Sequence, residues 1–293
     1  MLTPRRKAGF TLIELLVVIS IITLLTALGA GAYFRIRTSQ QEKLSGDRVS
    51  QLQKSMLQQW QAVLDTARKE PIPAVVMSYA LNDPDRAKSI WAYLHLRANF
   101  PETVAEATSN VTLGGQVVLQ ANQKVASMVT GAGALPADEQ AAVCAYAFLT
   151  AVNRRGMESG INDSMTGKVG TGTQFVVFTD TFNRPITFRR FFHTAEMDLK
   201  PFTANPAPAA PHDPLDPLGK LPALFAASSP LTAAQKADLL SAIGGSRTPD
   251  NSNFIPTFSS SGINRVFDPV VGGNPSGDDL YGYRLNVEGR TGN

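Results

Sequence analysis

The chain has little of what small-site chemistry uses. It contains one cysteine, Cys144, so no intrachain disulfide can form. That fits a cytoplasmic protein and equally an exported one that does without disulfides. Its three histidines, His95, His193 and His212, show no His-Glu-x-x-His spacing. There is no Gly-x-Ser-x-Gly elbow, P-loop or dinucleotide fingerprint, so no motif points to an enzyme. Surplus charge is scarce as well. The net charge is +3 and the pI about 9.0, yet Arg5, Arg6 and Lys7 precede Gly9 with no acid among them. Without those three, basic and acidic residues balance at 24 each. The pI therefore reports the first residues, and no nucleic-acid partner is expected. Phe175, Phe178, Phe188, Phe191 and Phe192, with Arg189 and Arg190 among them, read as core residues alternating with a charged outer face.

What the sequence does have is one long hydrophobic run. Phe10 to Phe34 is 25 residues whose only charged side chain is Glu14, and Arg35 and Arg37 close it. At about 1.5 Å per residue such a helix crosses a hydrocarbon core of about 30 Å with some tilt. A secretory signal would place a small-residue cleavage site behind a shorter apolar region. Here the polar leader lies in front, so a cut there keeps the hydrophobic segment in the product. Glu14 is the feature a plain anchor does not need, because an ionised carboxylate in an apolar segment usually has a partner and a task. A cut between Gly9 and Phe10 would set a new α-amine four residues ahead of Glu14. That amine on one subunit could pair with Glu14 of its neighbour and fix the stagger between helices. The bland alternative is a signal anchor whose glutamate snorkels to the interface.

Gly9-Phe10-Thr11-Leu12-Ile13-Glu14-Leu15-Leu16-Val17-Val18-Ile19 resembles the processing and assembly signature of type IV pilins and type II secretion pseudopilins. The resemblance implies cleavage by a prepilin peptidase after Gly9, N-methylation of Phe10, and an assembly role for Glu14.

Beyond the run, Val49, Leu52, Met56, Trp60, Val63 and Ala67 recur at helical spacing, Ser45-Gly46 marks a bend, and Pro71 and Pro73 end the pattern. Asp83-Pro84 reads as an N-cap with proline at the first helical position, opening a helix to Ala98. Pro136 to Arg155 reads as another helix, with Cys144 a buried small hydrophobe inside it. Gln116 to Leu119 is ambiguous between strand and helix. Gln174 to Phe178 and Ile186 to Phe192 read as a hairpin, with Gly170-Thr171-Gly172 its flexible lead-in. Pro201 to Pro222 holds seven prolines and should be extended surface chain. Thr232 to Ile243 reads as a short helix, and Asn253 to Ser259 and Leu280 to Val287 as closing strands.

A second resemblance lies in this C-terminal half. Asp180-Thr181-Phe182-Asn183-Arg184-Pro185-Ile186-Thr187-Phe188 is similar to the major pseudopilin's Asp-x-Trp-Gly-x-Pro-x-x-Tyr hairpin, with Phe for Trp, Asn for Gly and Phe for the closing Tyr. Ser260-Ser261-Gly262, Asp268 and Gly277-Asp278-Asp279-Leu280 resemble that family's final, calcium-binding loop. The resemblance implies Ca2+ as the cofactor, with Asp268, Asp278 and Asp279 as its carboxylates. The loop is more drawn out and has fewer acids than the family pattern, and Asp and Gly clusters are also ordinary turn chemistry.

The expected fold class is α+β and pilin-like: a long N-terminal helix, half in the membrane and half amphipathic, packed on a small antiparallel sheet with a helical insertion. The expected organisation is a cleaved leader (1–9), a transmembrane and assembly helix (10–34), an amphipathic helix of the soluble domain (35–70), a mainly helical insertion (71–165), and a β-rich part (166–293) with its proline-rich segment at 201–222. The expected role is a non-enzymatic pseudopilin of a type II secretion-like fibre. Its partners would be prepilin peptidase, other pilin or pseudopilin subunits, an inner-membrane assembly platform and the lipid bilayer. It would sit once in the inner membrane, N-terminus cytoplasmic and soluble domain periplasmic or exoplasmic. Alternatives are a minor pilin of a type IV pilus, and an anchored exoplasmic binding or enzymatic domain that uses the signal only for export.

Overall fold

The computed structural model describes residues 12–152, 163–202, 213–244, 249–250, 252–262 and 279–288. The chain forms two compact units, Met1–Lys43 and Leu44–Asn293. Helix α1 runs over Leu12–Lys69, ending just ahead of Pro71, as the restricted backbone before a proline requires. The helix continues without a break through Ser45-Gly46. One interior glycine costs about 1 kcal/mol, and here it lies in a buried stretch, where Ser45 is 2.6 Å from the Thr181 hydroxyl.

Within the second unit α1 buries Val49, Leu52, Met56, Trp60, Leu64 and Ala67. Leu64 takes the core position expected for Val63, which packs beside it half-buried. Three short helices follow, α2 (Ala74–Tyr79), α3 (Pro84–Asn99) and α4 (Val104–Thr108). Asp83 caps α3 by accepting from the N–H groups of Asp85 and Arg86, with Pro84 at the first position, as the sequence predicts. The ambiguous Gln116–Leu119 is a strand, β2, antiparallel to β1 (Val111–Leu113). Its two-residue loop, Gly114-Gly115, has φ of +59° and +73°, the mirror-image turn that glycine permits and that matches the twist of a hairpin. Helices α5 (Gln123–Val129) and α6 (Ala137–Val152) complete this part.

The remaining strands are β3 (Thr166–Val169), β4 (Phe175–Phe178), β5 (Thr187–Phe192), β6 (Ile255–Ser260) and β7 (Leu280–Tyr281). They form an antiparallel pair, β3-β4, and a three-stranded antiparallel sheet in the order β5-β6-β7. The expected hairpin of 174–178 with 186–192 is therefore limited to one bridge, Thr179 to Pro185. Pro185 has no N–H to continue the ladder, and the Arg190 N–H donates to the Glu102 carboxylate instead of to a strand. Gly170 to Gly172 lead into β4, as expected, and form its connection from β3.

Rings join the layers. Trp60 to Phe100, Phe100 to Phe148, Phe148 to Phe188 and Phe188 to Phe258 have centroids 5.2, 5.2, 5.0 and 5.3 Å apart. This chain of contacts runs from α1 through α6 to β5 and β6, and each such pair adds about 0.5–1.5 kcal/mol beyond its buried area. Of the proline-rich segment, 203–212 lie outside the described residues. From Asp213 it makes two hydrogen-bonded turns, then α7 (Pro222–Phe225). Thr232 opens α8 (Ala233–Ala242) with a capping box to Gln235.

Leu280 to Val287 is not one strand. After Tyr281 the chain turns into α9 (Gly282–Glu288). Gln53 of α1 explains this: its Nε2 donates to the Pro256 carbonyl at 2.6 Å and its Oε1 accepts from the Phe258 N–H at 2.9 Å. Those groups on β6 are the ones a longer β7 would use. Gly282 passes so close that a Cβ there would be 2.5 Å from Gln53 Oε1. The whole is a mixed α+β architecture, a long apolar N-terminal helix with small antiparallel sheets and further helices, consistent with a pilin-like fold.

Candidate functional site

The first part of α1 belongs to the N-terminal unit. An 18-residue window in it has a mean hydropathy of 2.5 and is 0% buried, and among the described residues α1 is the one helix long and apolar enough to cross a membrane. Leu12, Ile13, Leu15, Leu24 and Leu28 are each more than half exposed. Such a surface is stable in lipid or against like helices, not in water. Its hydroxyls are satisfied within the helix: Ser20 donates to the Leu16 carbonyl at 2.8 Å, Thr23 to Ser20 at 2.8 Å and Thr26 to Ile22 at 2.7 Å. They therefore impose no polar demand on surrounding lipid.

Glu14 stands in the first turn of α1 and is exposed. Gly9 and Phe10 lie outside the described residues, as do Asp268, Asp278 and His212. Asp279 is described, and its Oδ2 accepts from the Tyr281 hydroxyl at 3.3 Å. Among the described residues, no group of three or more His, Cys, Asp or Glu side chains could hold a metal ion.

The Asp180 turn is built as its sequence suggests. Asp180 is buried; its Oδ1 accepts from the Phe182 and Arg184 N–H groups, both at 2.8 Å, and its Oδ2 from the Ser260 hydroxyl at 2.6 Å. Asn183 has φ of +60°, so asparagine occupies the left-handed position that glycine would otherwise take. The turn meets α1 through the Ser45 hydroxyl, which accepts from the Thr181 N–H at 3.1 Å, and through Arg48, which donates to the Thr179 carbonyl at 3.0 Å.

Cys144, His95 and His193 are held by contacts of the fold. Burial pushes the Cys144 thiol up to about 12, helped by Glu106 and Glu102, so it stays protonated at neutral pH. Burial lowers His95 below its ordinary value, although the Glu70 carboxylate lies 3.2 Å from its Nε2. His193 Nδ1 is 2.6 Å from the Asn253 carbonyl.

Two residues that organise the second unit are not singled out by sequence reasoning. Gln53 is a polar residue inside the apolar stripe of α1, four after Val49, and that misplacement is its signal. Arg190 lies two residues after Phe188, so strand alternation puts both on one side. Its side chain is fully buried, whereas Arg189 faces outward and pairs with Asp138 at 3.0 Å. The reading of both arginines as an outer face is thus corrected for Arg190. Its guanidinium donates to the Phe100 carbonyl at 2.8 Å and to both Glu106 oxygens at 3.0 and 3.1 Å. Arg97 adds a cation 3.8 Å from the same carboxylate. Burial alone would raise Glu106, but Arg190, together with the Glu102 N–H and Arg97, holds the carboxyl below the usual range.

Comparison with known proteins bears on the N-terminus. The profile of the prokaryotic N-terminal methylation motif matches residues 4–30. No curated protein and no solved structure matches the chain.

Proposed function

We propose that this chain, which carries the prepilin-type methylation signature of type IV pilins and pseudopilins, is a pseudopilin subunit of a type II secretion-like fibre. A prepilin peptidase cuts between Gly9 and Phe10, and the new N-terminus is methylated. The observation that carries this reading is Glu14, set four residues after Phe10 at the start of an exposed apolar helix. In a bundle of such helices the amine of one subunit and the carboxylate of the next neutralise each other in a low dielectric. The Asp180 turn, with Asn183 in the left-handed position, supports the secretion-type reading over a type IV minor pilin. The role is structural rather than catalytic, with other subunits and an inner-membrane assembly platform as partners.

Arg5, Arg6 and Lys7 hold the leader on the cytoplasmic side, and the second unit is exported. A periplasm-dependent reporter fused after Asn293 is expected to be active, and a cytoplasm-dependent one inactive. The reverse pattern contradicts the orientation and with it the fibre reading.

A further inference from the structure

The N-terminal unit carries a second group of residues that processing and assembly leave unused. Where the apolar run ends, Tyr33, Phe34, Arg35, Ile36 and Arg37 follow one another on α1. Tyr33, Phe34 and Ile36 are 60, 62 and 59% exposed, and both arginines are exposed. Successive residues of a helix are about 100° apart, so these five point in every direction around the axis. They form a collar and not a stripe. The two rings meet edge to face with centroids 5.8 Å apart, leaving a wide apolar body with the phenolic hydroxyl at its rim. Aromatic rings of this kind prefer the level of lipid headgroups, and arginines beside them extend their guanidinium groups to phosphate.

The spacing along the helix gives the collar a consequence. From Glu14 to Arg35 is 21 residues, or about 31 Å of helix rise, the thickness of one hydrocarbon core. With the collar at one interface, Glu14 lies at the other. A membrane-resident subunit then keeps its carboxylate among headgroups and water, and the carboxylate loses solvent only when helices pack together.

We propose that Tyr33, Phe34, Arg35 and Arg37 form a headgroup-binding collar for anionic phospholipid, which fixes the depth of α1 and holds Glu14 at the opposite interface until assembly. The occupant is a lipid phosphate because the collar joins two cations to lipid-facing aromatics, a combination a soluble anion does not need. The proposal rests on the membrane-anchor reading of α1.

The test uses the processed full-length chain with Cys144→Ser, in phosphatidylcholine vesicles with and without phosphatidylglycerol. Spin-labelled lipids report which headgroup is enriched around the protein. A nitroxide on Thr38→Cys reports depth through collisions with oxygen or a water-soluble nickel chelate. Phosphatidylglycerol is expected to be enriched over phosphatidylcholine by at least about twofold, and the enrichment to vanish in R35Q/R37Q with helix content unchanged. In Y33A/F34A the Thr38 label is expected to change depth by up to about one turn, about 5 Å. Equal enrichment of the two lipids, or selectivity retained in R35Q/R37Q, overturns the proposal and leaves the fibre reading standing. A nitroxide on Leu24→Cys that stays accessible to the nickel chelate overturns both, because α1 then does not span the bilayer.

Discussion

Glu14→Leu is expected to abolish fibre assembly while leaving the protein in the membrane at its normal level. Leucine makes the anchor more hydrophobic, so insertion has nothing to lose. In the assembled bundle, however, the α-amine of a neighbouring Phe10 would be left without its counter-charge. Removing one member of a buried pair costs about 3–5 kcal/mol, which weakens each lateral contact by roughly a hundredfold to a few thousandfold. Glu14→Gln is expected to fall between leucine and wild type, since an amide oxygen accepts a hydrogen bond but carries no charge. In-membrane crosslinking between neighbouring helices, normalised to the amount of each variant in the membrane, measures the effect. If Glu14→Leu crosslinks and polymerises as wild type does, the glutamate is incidental and the chain is better read as an anchored domain.

The second large effect is expected at Arg190. Arg190→Met would fill much of the same volume but leave Glu106, 13% exposed at its side chain, without the guanidinium that engages both its oxygens. The Phe100 carbonyl and the Glu102 carboxylate would lose a nearby cation in the same step. The expected loss is about 3–5 kcal/mol, a large part of the roughly 5–15 kcal/mol of a typical domain. It would appear as a lowered urea midpoint of the full-length chain in detergent. The pH dependence should also weaken. In wild type the folded Glu106 carboxyl is held below its unfolded value. Its contribution is therefore present above a pH of about 4.3, the unfolded pKa, and lost as pH falls through the lower folded value. In Arg190→Met only Arg97 and the Glu102 N–H are left to oppose burial, so the carboxyl rises and the variant should lose less stability than wild type on acidification from neutral pH. R190M/E106M should recover much of the loss, because a buried charge is then no longer stranded. A variant as stable as wild type at pH 7 would show that the cluster is not under electrostatic tension.

Much of the helical half was legible in the sequence because its signals are local. Most of the stripe from Val49 to Ala67, the Asp83-Pro84 start and the short helix after Thr232 each need only neighbours within a turn or two, and each folds as read apart from Leu64 in place of Val63. The Asp180 turn was legible for the same reason, although Asn183 was read only as a departure from the glycine of the pattern and not as a residue of positive φ. Strand partners were not. Thr187–Phe192 pairs with Ile255–Ser260 across more than sixty residues, and no local pattern says which edge a strand will take. Gln53 decides where β7 ends by occupying two backbone groups of β6, a choice made about 200 residues away in sequence. Arg190 was misread because a pair of adjacent arginines looks like a solvated face, although alternation places only one of them outside. At the candidate site the legible part was the charge pattern itself: a basic leader, Gly9-Phe10 and a lone carboxylate in an apolar run.

The most direct test of the account is the mass of the mature N-terminus. Protein purified from membranes of cells with an active prepilin peptidase, then digested and analysed by mass spectrometry, is expected to begin at Phe10 with an N-methyl group on its amine. The same chain from cells lacking the peptidase should keep Met1 to Gly9. An intact leader in peptidase-containing cells, or a terminus near residue 30, would contradict the reading of α1 as a retained assembly helix.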